Sequence, residues 1–144
     1  MARVTRFEVD LPLALDLCET ARAAAASRGA LVSVAVVDAG GHLIAFQRMD
    51  GAEIAGPVLA RDKAFTAVAH RCATHELTAL VSPGADLAGM NSADGGRYIA
   101  FAGGVPLWDG PRVIGGVGVS GGSADQDRAA AEAALRAYDA ERDS

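Results

Sequence analysis

Three polar side chains with acid–base or anion-binding chemistry share one face of a predicted helix over residues 58–71. Lys63, Thr66 and His70 are spaced i, i+3 and i+7, which places them in a row on a helix. An ammonium, a hydroxyl and an imidazole in such a row could bind a carboxylate or move a proton. The alternative is a solvated helix face that carries the only lysine of the chain. The apolar residues on either side make this polar face narrow, so both hypotheses stay open.

A second group of candidate residues lies in two predicted loops. Arg48 and Asp50 follow the second predicted strand and could pair with each other, or line a pocket in which Arg48 faces an anionic group. Asn91 and Arg97 belong to a long Gly-rich segment, residues 82–97. Loops of this length are uncommon in compact domains and often carry function.

The histidines and cysteines do not follow a zinc pattern. His42, His70, His75 and Cys72 form neither a C-x-x-C nor an H-E-x-x-H motif, so we expect no structural zinc site. Cys18 and Cys72 lie on or beside apolar helical stripes. Free cysteines of this kind are usually buried, so both are predicted to be core residues and not nucleophiles.

Residues 116–121 match the G-x-G-x-x-G pattern, but their context does not predict a dinucleotide site. Such a site needs a further strand after the motif, and the 23 residues that follow Gly121 read as one helix. Asp125 and Asp127 in the first turn of that helix would repel a phosphate. The segment is therefore interpreted as a Gly-rich strand that another backbone or a ligand approaches closely.

The composition indicates one globular domain spanning residues 1–144 and excludes several classes of protein. The chain is 51% hydrophobic and 22% charged, with a net charge of −5. This charge and the absence of a basic cluster argue against a nucleic-acid partner. No apolar run approaches the about 18 residues that cross a bilayer, and we expect neither a membrane segment nor a signal peptide. Two cysteines without a disulfide framework favour the reducing cytoplasm.

The elements that must position these residues predict an α+β fold. Asp10 caps a first helix that ends near Gly29, Thr74 caps a short helix over residues 76–81, and Ser123 opens a capping box for a helix over 124–141. Five strands are expected. They cover residues 31–38, 43–48, 98–102, 105–108 and 112–120. The first two form a hairpin, and hairpin-connected strands imply an antiparallel sheet with helices packed on it.

Five segments in order resemble the GlcG/HbpS family, which includes the C-terminal domain of PduO. They are VDAGGHL (37–43), FQRMDGA (46–52), KAFTA (63–67), GGVPL (103–107) and IGGVGVSGG (114–122), followed by Gln126 and Asp127. The similarity runs from about residue 11 to residue 138. It implies a five-stranded antiparallel sheet flanked by helices, in profilin-like α/β/α layers, and assembly into dimers or larger homo-oligomers.

The resemblance implies that the chain binds haem or a similar small anionic ligand. Arg48, Lys63 and Arg97 would meet the carboxylates, with Asp50, Thr66 and Asn91 around them. Family members that hold haem iron through histidine use one near the first helix. Residues 1–41 contain none here, so His70 or His75 would approach the iron. The alternative is a cofactor-independent lyase, isomerase or hydratase acting on a small carboxylated or aromatic substrate. In that enzyme His70 is the general acid or base and Lys63 the anion clamp or electrophile. Asp50 or Asn91 would position the substrate.

Overall fold

Two of the three long helices begin at the capping residues that the sequence predicts. The structure, a computed structural model, describes residues 1–144. Helix α1 spans Leu11–Ser27 and its first turn is capped by Asp10, whose Oδ1 accepts a bond of 2.9 Å from the Leu13 N–H. The last helix, α3, spans Ala124–Arg142 and starts with a capping box between Ser123 and Gln126. These side chains satisfy backbone N–H groups that every helix start leaves unpaired.

Four antiparallel strands form one sheet in the order β2-β1-β4-β3. The strands are β1 (Ser33–Asp38), β2 (Leu43–Arg48), β3 (Gly104–Asp109) and β4 (Arg112–Ser120). The predicted hairpin of the first two strands is confirmed, and β3 and β4 form a second hairpin. The two hairpins are joined by the pairing of β1 with β4. These two apolar strands therefore occupy the interior of the sheet.

Helices cover both faces of the sheet, which gives the α/β/α layers expected of the fold. Alternate residues of a strand point to opposite faces. Val34 and Val36 of β1 pack into the main core with α1 and α3. On the other face lies the remaining long helix, α2 (Gly56–His70), which contacts β1, β3 and β4 but scarcely reaches β2. The face of β2 beside α2 therefore stays open, with Leu43 and Phe46 partly exposed.

Helix α2 lies directly on the Gly-rich strand β4. A Cβ added at Gly116 would lie 2.8 Å from the carbonyl oxygen of Ala64, and one at Gly118 would overlap the carbonyl oxygen of Ala60. Only glycine lets the two backbones approach so closely. The interpretation of residues 116–121 as a strand approached by another backbone is confirmed, and that backbone belongs to α2.

The fifth expected strand, residues 98–102, is not a strand, and the sheet has four strands instead of five. This segment follows three short 3₁₀ turns, Thr74–Leu77, Met90–Ser92 and Asp94–Gly96. The first of these turns replaces the helix predicted over residues 76–81. The backbone of residues 98–102 bonds to threonine side chains instead of to a neighbouring strand.

None of the helices combines the length and the apolar composition that crossing a bilayer requires.

Candidate functional site

Lys63, the first residue of the predicted polar row, is buried in an ion pair. Its Nζ lies 3.0 Å from Oδ2 of Asp127 and donates a bond of 2.9 Å to the carbonyl oxygen of Val119. The two side chains are 1% and 6% exposed. Burial lowers the pKa of Lys63 and raises the pKa of Asp127, and the attraction between the two charges opposes both shifts. Because Lys63 is this deeply buried, a ligand carboxylate could reach its ammonium only if neighbouring residues moved.

Thr66, the second residue of the row, faces inward as well and holds a backbone segment in place. Residues 97–104, here called the strap, run from the Gly-rich loop to β3. The Thr66 hydroxyl accepts a bond of 2.9 Å from the Ile99 N–H and donates one of 2.7 Å to the carbonyl oxygen of Asp62. The hydroxyl is fully buried. Thr66 thus satisfies a backbone group that the absent fifth strand would otherwise have paired.

Two further threonines fix the rest of the strap. The Thr78 hydroxyl donates to the carbonyl oxygen of Ala100, and the Thr74 hydroxyl donates to that of Phe101, both at 2.6 Å. Thr74 also accepts a bond of 2.9 Å from the Gly104 N–H, at the start of β3. These bonds anchor the strap to α2 and to the turn that follows it. The backbone of the strap is consequently held in place beside α2.

The strap and α2 together form an aromatic and cationic cluster around His70. The guanidinium of Arg97 stacks on the Phe65 ring, with Cζ 3.5 Å from the ring centroid. The Tyr98 ring lies 5.6 Å from Phe65 and 5.1 Å from the imidazole of His70, which it meets edge to face. Arg97 also lies 3.4 Å from Oδ1 of Asp62. All four members are half-buried, so each presents part of its surface to solvent.

The other predicted residues lie outside this cluster. Arg48 donates a bond of 3.1 Å to the carbonyl oxygen of Ala52, and it forms no ion pair with the exposed Asp50. His75 is half-buried in the turn Thr74–Leu77, and Asn91 is exposed in the turn Met90–Ser92. None of these four side chains bonds to the cluster. Their ligand-binding roles stay predictions, and the structure brings together only His70 and Arg97 of the surface-accessible candidates.

Two members of the cluster, Phe65 and Tyr98, are missing from the residues predicted from sequence. Phe65 is one of the apolar residues beside the predicted polar row, and Tyr98 opens the segment predicted as a strand. Aromatic residues make up only 5% of the chain. An aromatic ring beside an arginine, as in Arg97-Tyr98, is the signal that could have marked the position.

Neither Lys63 nor His70 lines any of the four main surface cavities of the chain. Arg97 lines one of about 490 Å³ together with Arg61 and the β1–β2 turn. A second, of about 530 Å³, lies beside Phe65 on the other side of that turn. No group of three or more His, Cys, Asp and Glu side chains is placed to hold a metal ion. None of these four cavities therefore reaches the His70 imidazole.

Solved structures share this fold over nearly the whole chain. A Klebsiella pneumoniae protein, ORFY, superposes with a TM-score of 0.92 at 34% identity, over 97% of both chains. A PduOC:heme complex superposes with a TM-score of 0.87 at 39% identity, covering 90% of this chain and 94% of the other. Each similarity covers nine-tenths or more of this chain.

Sequence comparison gives the same relationship. The corrinoid adenosyltransferase PduO of Citrobacter freundii is 45% identical over 106 residues, which are 74% of this chain and 32% of PduO. The chain thus spans about a third of that relative's length. The family described as haem degrading protein HbpS-like matches residues 9–136. The chain therefore belongs to the HbpS-like family.

Proposed function

We propose that this protein binds haem or a similar planar, anionic ring ligand. The observation that carries the proposal is the stacked cluster of Arg97, Phe65 and Tyr98 beside the His70 imidazole. Aromatic faces stack on a planar ring, an arginine pairs with its carboxylates, and an imidazole is a common iron ligand. The 39% identity with the chain of the PduOC:heme complex supports the same ligand class.

The residues that meet the ligand follow from what each side chain already binds. His70 approaches the iron and Arg97 meets a carboxylate, because both reach the surface of the cluster. His75, Arg48, Asp50 and Asn91 are further candidates for the ligand's periphery. Lys63 and Thr66 support the site from inside, since their polar atoms are occupied by Asp127 and by the strap. When bound, haem would supply the redox or iron chemistry that these side chains lack.

The cluster lies at the surface of a single chain, where a second copy of the chain would cover a bound ring. We therefore include a homo-oligomer in the proposal. Exposed apolar side chains support self-association: Phe101 on the strap is 47% exposed, and Ile54 and Val58 near the start of α2 are 80% and 56% exposed. The net charge of −5 favours a partner other than nucleic acid. A cytoplasmic location completes the proposal.

The enzymatic alternative has less support from the geometry. A lyase or isomerase built on His70 and Lys63 needs both groups at one substrate. Lys63 is 1% exposed and bonded to Asp127, whereas His70 lies at the surface against Tyr98. The two groups therefore do not face a common cavity.

A hemin titration of the purified, metal-free protein tests the proposal. We expect a saturable Soret shift at one haem per subunit or per dimer, with the mass of the assembly recorded in parallel. The shift should be lost in the His70→Ala/His75→Ala variant. A featureless titration of the wild-type protein, or a double variant that binds as well as wild type, would overturn this assignment.

A further inference from the structure

A cavity of about 530 Å³ lies under the N-terminal segment, away from the His70 side of the cluster. Its walls are residues 4–7, the β1–β2 turn, the C-terminal half of α2 and the β3–β4 turn. The N-terminal wall is fixed at its end, because the Val9 N–H donates a bond of 3.1 Å to the carbonyl oxygen of Ile114. The volume lies within the range of small-molecule sites in proteins.

The charges around this cavity are all positive. Arg6, Arg71 and Arg112 line it, and no aspartate or glutamate does. None of the three guanidinium groups forms an ion pair within the chain. The cavity is thus lined by positive charge in a chain whose net charge is −5. Arginines without an ion-pair partner that line one cavity favour a carboxylate, which accepts two parallel bonds from a guanidinium.

The remaining walls are apolar and aromatic. Phe7, Phe65 and Val68 line the cavity, and half of its lining residues are hydrophobic. The Arg112 guanidinium lies 4.7 Å from the centroid of the Phe7 ring, so a charge from the β3–β4 turn lies against a ring face of the N-terminal wall. An inorganic anion would leave these walls without a partner. A ligand with a carboxylate and an apolar body would satisfy both kinds of surface.

Arg71 occupies a backbone position that glycine normally fills. It ends α2 in the left-handed conformation, with φ 54° and ψ 41°. Helices commonly end in this conformation, and glycine is favoured there because it has no Cβ. Strained positions of non-glycine residues cluster at functional sites. The fold therefore holds an arginine at the rim of this cavity where glycine would be the less strained residue.

We propose that this cavity binds a small organic anion that combines one carboxylate with an aromatic or branched apolar body. Arg71 and Arg112 hold the carboxylate, and Phe7, Phe65 and Val68 contact the body of the ligand. The site shares Phe65 with the proposed haem surface, but it needs neither His70 nor iron.

Calorimetric titration with phenylacetate, and with its uncharged analogue phenylacetamide, tests the proposal. We expect saturable binding of one phenylacetate per chain, and at least about tenfold weaker binding of the amide, because the amide lacks the charge that the arginines recognise. Absence of saturable phenylacetate binding, or equal affinity for the two compounds, would overturn the assignment.

Substitutions separate this site from its surroundings. Arg71→Gly should weaken phenylacetate binding about tenfold while the melting temperature stays the same or rises, because glycine relieves the left-handed backbone. Arg112→Gln should weaken binding similarly. Arg136→Gln, which removes an exposed arginine of α3, is the matched control and should leave phenylacetate binding unchanged. Full binding by both Arg71→Gly and Arg112→Gln would refute the site, whatever the hemin titration gives.

Discussion

The Nζ of Lys63 and the Oδ2 of Asp127 lie 3.0 Å apart although their helices cover opposite faces of the sheet. Lys63 passes the end of β4, where it also bonds to Val119, and reaches the first turn of α3. Asp127 in turn accepts a bond of 2.9 Å from the Gly122 N–H. The pair thus connects the two helical layers through the point where β4 ends.

Removing one member of this pair should be costly, because it leaves the other charge buried without a partner. We expect Lys63→Met to lower the free energy of unfolding by about 3–5 kcal/mol. The Lys63→Met/Asp127→Asn variant should lose less than the sum of the two single variants, since neither charge then remains. Urea denaturation of the wild type, Lys63→Met, Asp127→Asn and the double variant measures the coupling energy of the pair. Arg128→Met, which breaks an exposed pair with Glu132, should cost no more than about 0.5 kcal/mol. Additive losses would contradict a coupled pair.

Alkaline pH should stabilise the wild-type protein relative to Lys63→Met. Burial lowers the pKa of Lys63 below its ordinary value of 10.5, so the unfolded chain binds more protons than the folded one between the folded pKa and 10.5. The free energy of unfolding then rises with pH in that window, by up to about 1.4 kcal/mol per pH unit for one proton. Urea titrations of both proteins from pH 7.5 to 10 measure the difference. Parallel pH profiles would show that the pKa of Lys63 is not lowered.

Gly118→Ala should force α2 away from the sheet. The new Cβ would overlap the carbonyl oxygen of Ala60, which is backbone and has no side-chain freedom to move aside. We expect a loss of about 3 kcal/mol in unfolding free energy, at the upper end of overpacking effects. Gly84→Ala is the control, because its Cβ meets open space and only its φ of +83° opposes the substitution. Thermal and urea denaturation measure both variants. If Gly118→Ala and Gly84→Ala lose the same free energy of unfolding, the contact of α2 with β4 is not close.

Arg97 and Arg48 are both predicted to meet a ligand carboxylate. We expect their substitution to change the affinity for hemin to different extents. Arg97→Gln should raise the dissociation constant about tenfold, because it removes the charge stacked on Phe65. Arg48→Gln should have less effect, because Arg48 bonds to Ala52 outside the cluster. Absorbance titrations compare the two variants, with circular dichroism to verify folding. If Arg48→Gln weakens hemin binding more than Arg97→Gln does, the ligand lies at the end of β2 instead of at the cluster.

Much of the fold follows from local sequence signals. Capping side chains at Asp10 and Ser123 define two helix starts, and the apolar run before Gly40 defines the first strand of the hairpin. Residues 98–102 were predicted wrongly because their β-type composition is a local property. Their partners are hydroxyls of Thr66, Thr74 and Thr78, which the tertiary fold brings to them. Strand propensity does not show where such partners lie.

The candidate site was less predictable for the same reason. Helical spacing placed Lys63, Thr66 and His70 in a row, but it did not show which members of the row reach solvent. The partner that binds Lys63 is Asp127, 64 residues further along the chain. Only the packing of α3 against the sheet decides that the ammonium points inward. His70, at the last turn of α2, escapes this burial and contacts Tyr98 instead.

The strand order has a consequence for how the chain folds during its synthesis. Val34 of β1 pairs with Val119 of β4, so one edge of β1 stays unpaired until a strand much later in the sequence has been translated. Until then the emerging β1–β2 hairpin presents an unpaired, apolar edge of the kind that joins other strands and aggregates. Helix α1 likewise waits for α3, its main helical neighbour. The domain should therefore fold only once β4 and α3 have left the ribosome, and a stall before β4 would leave an aggregation-prone nascent chain.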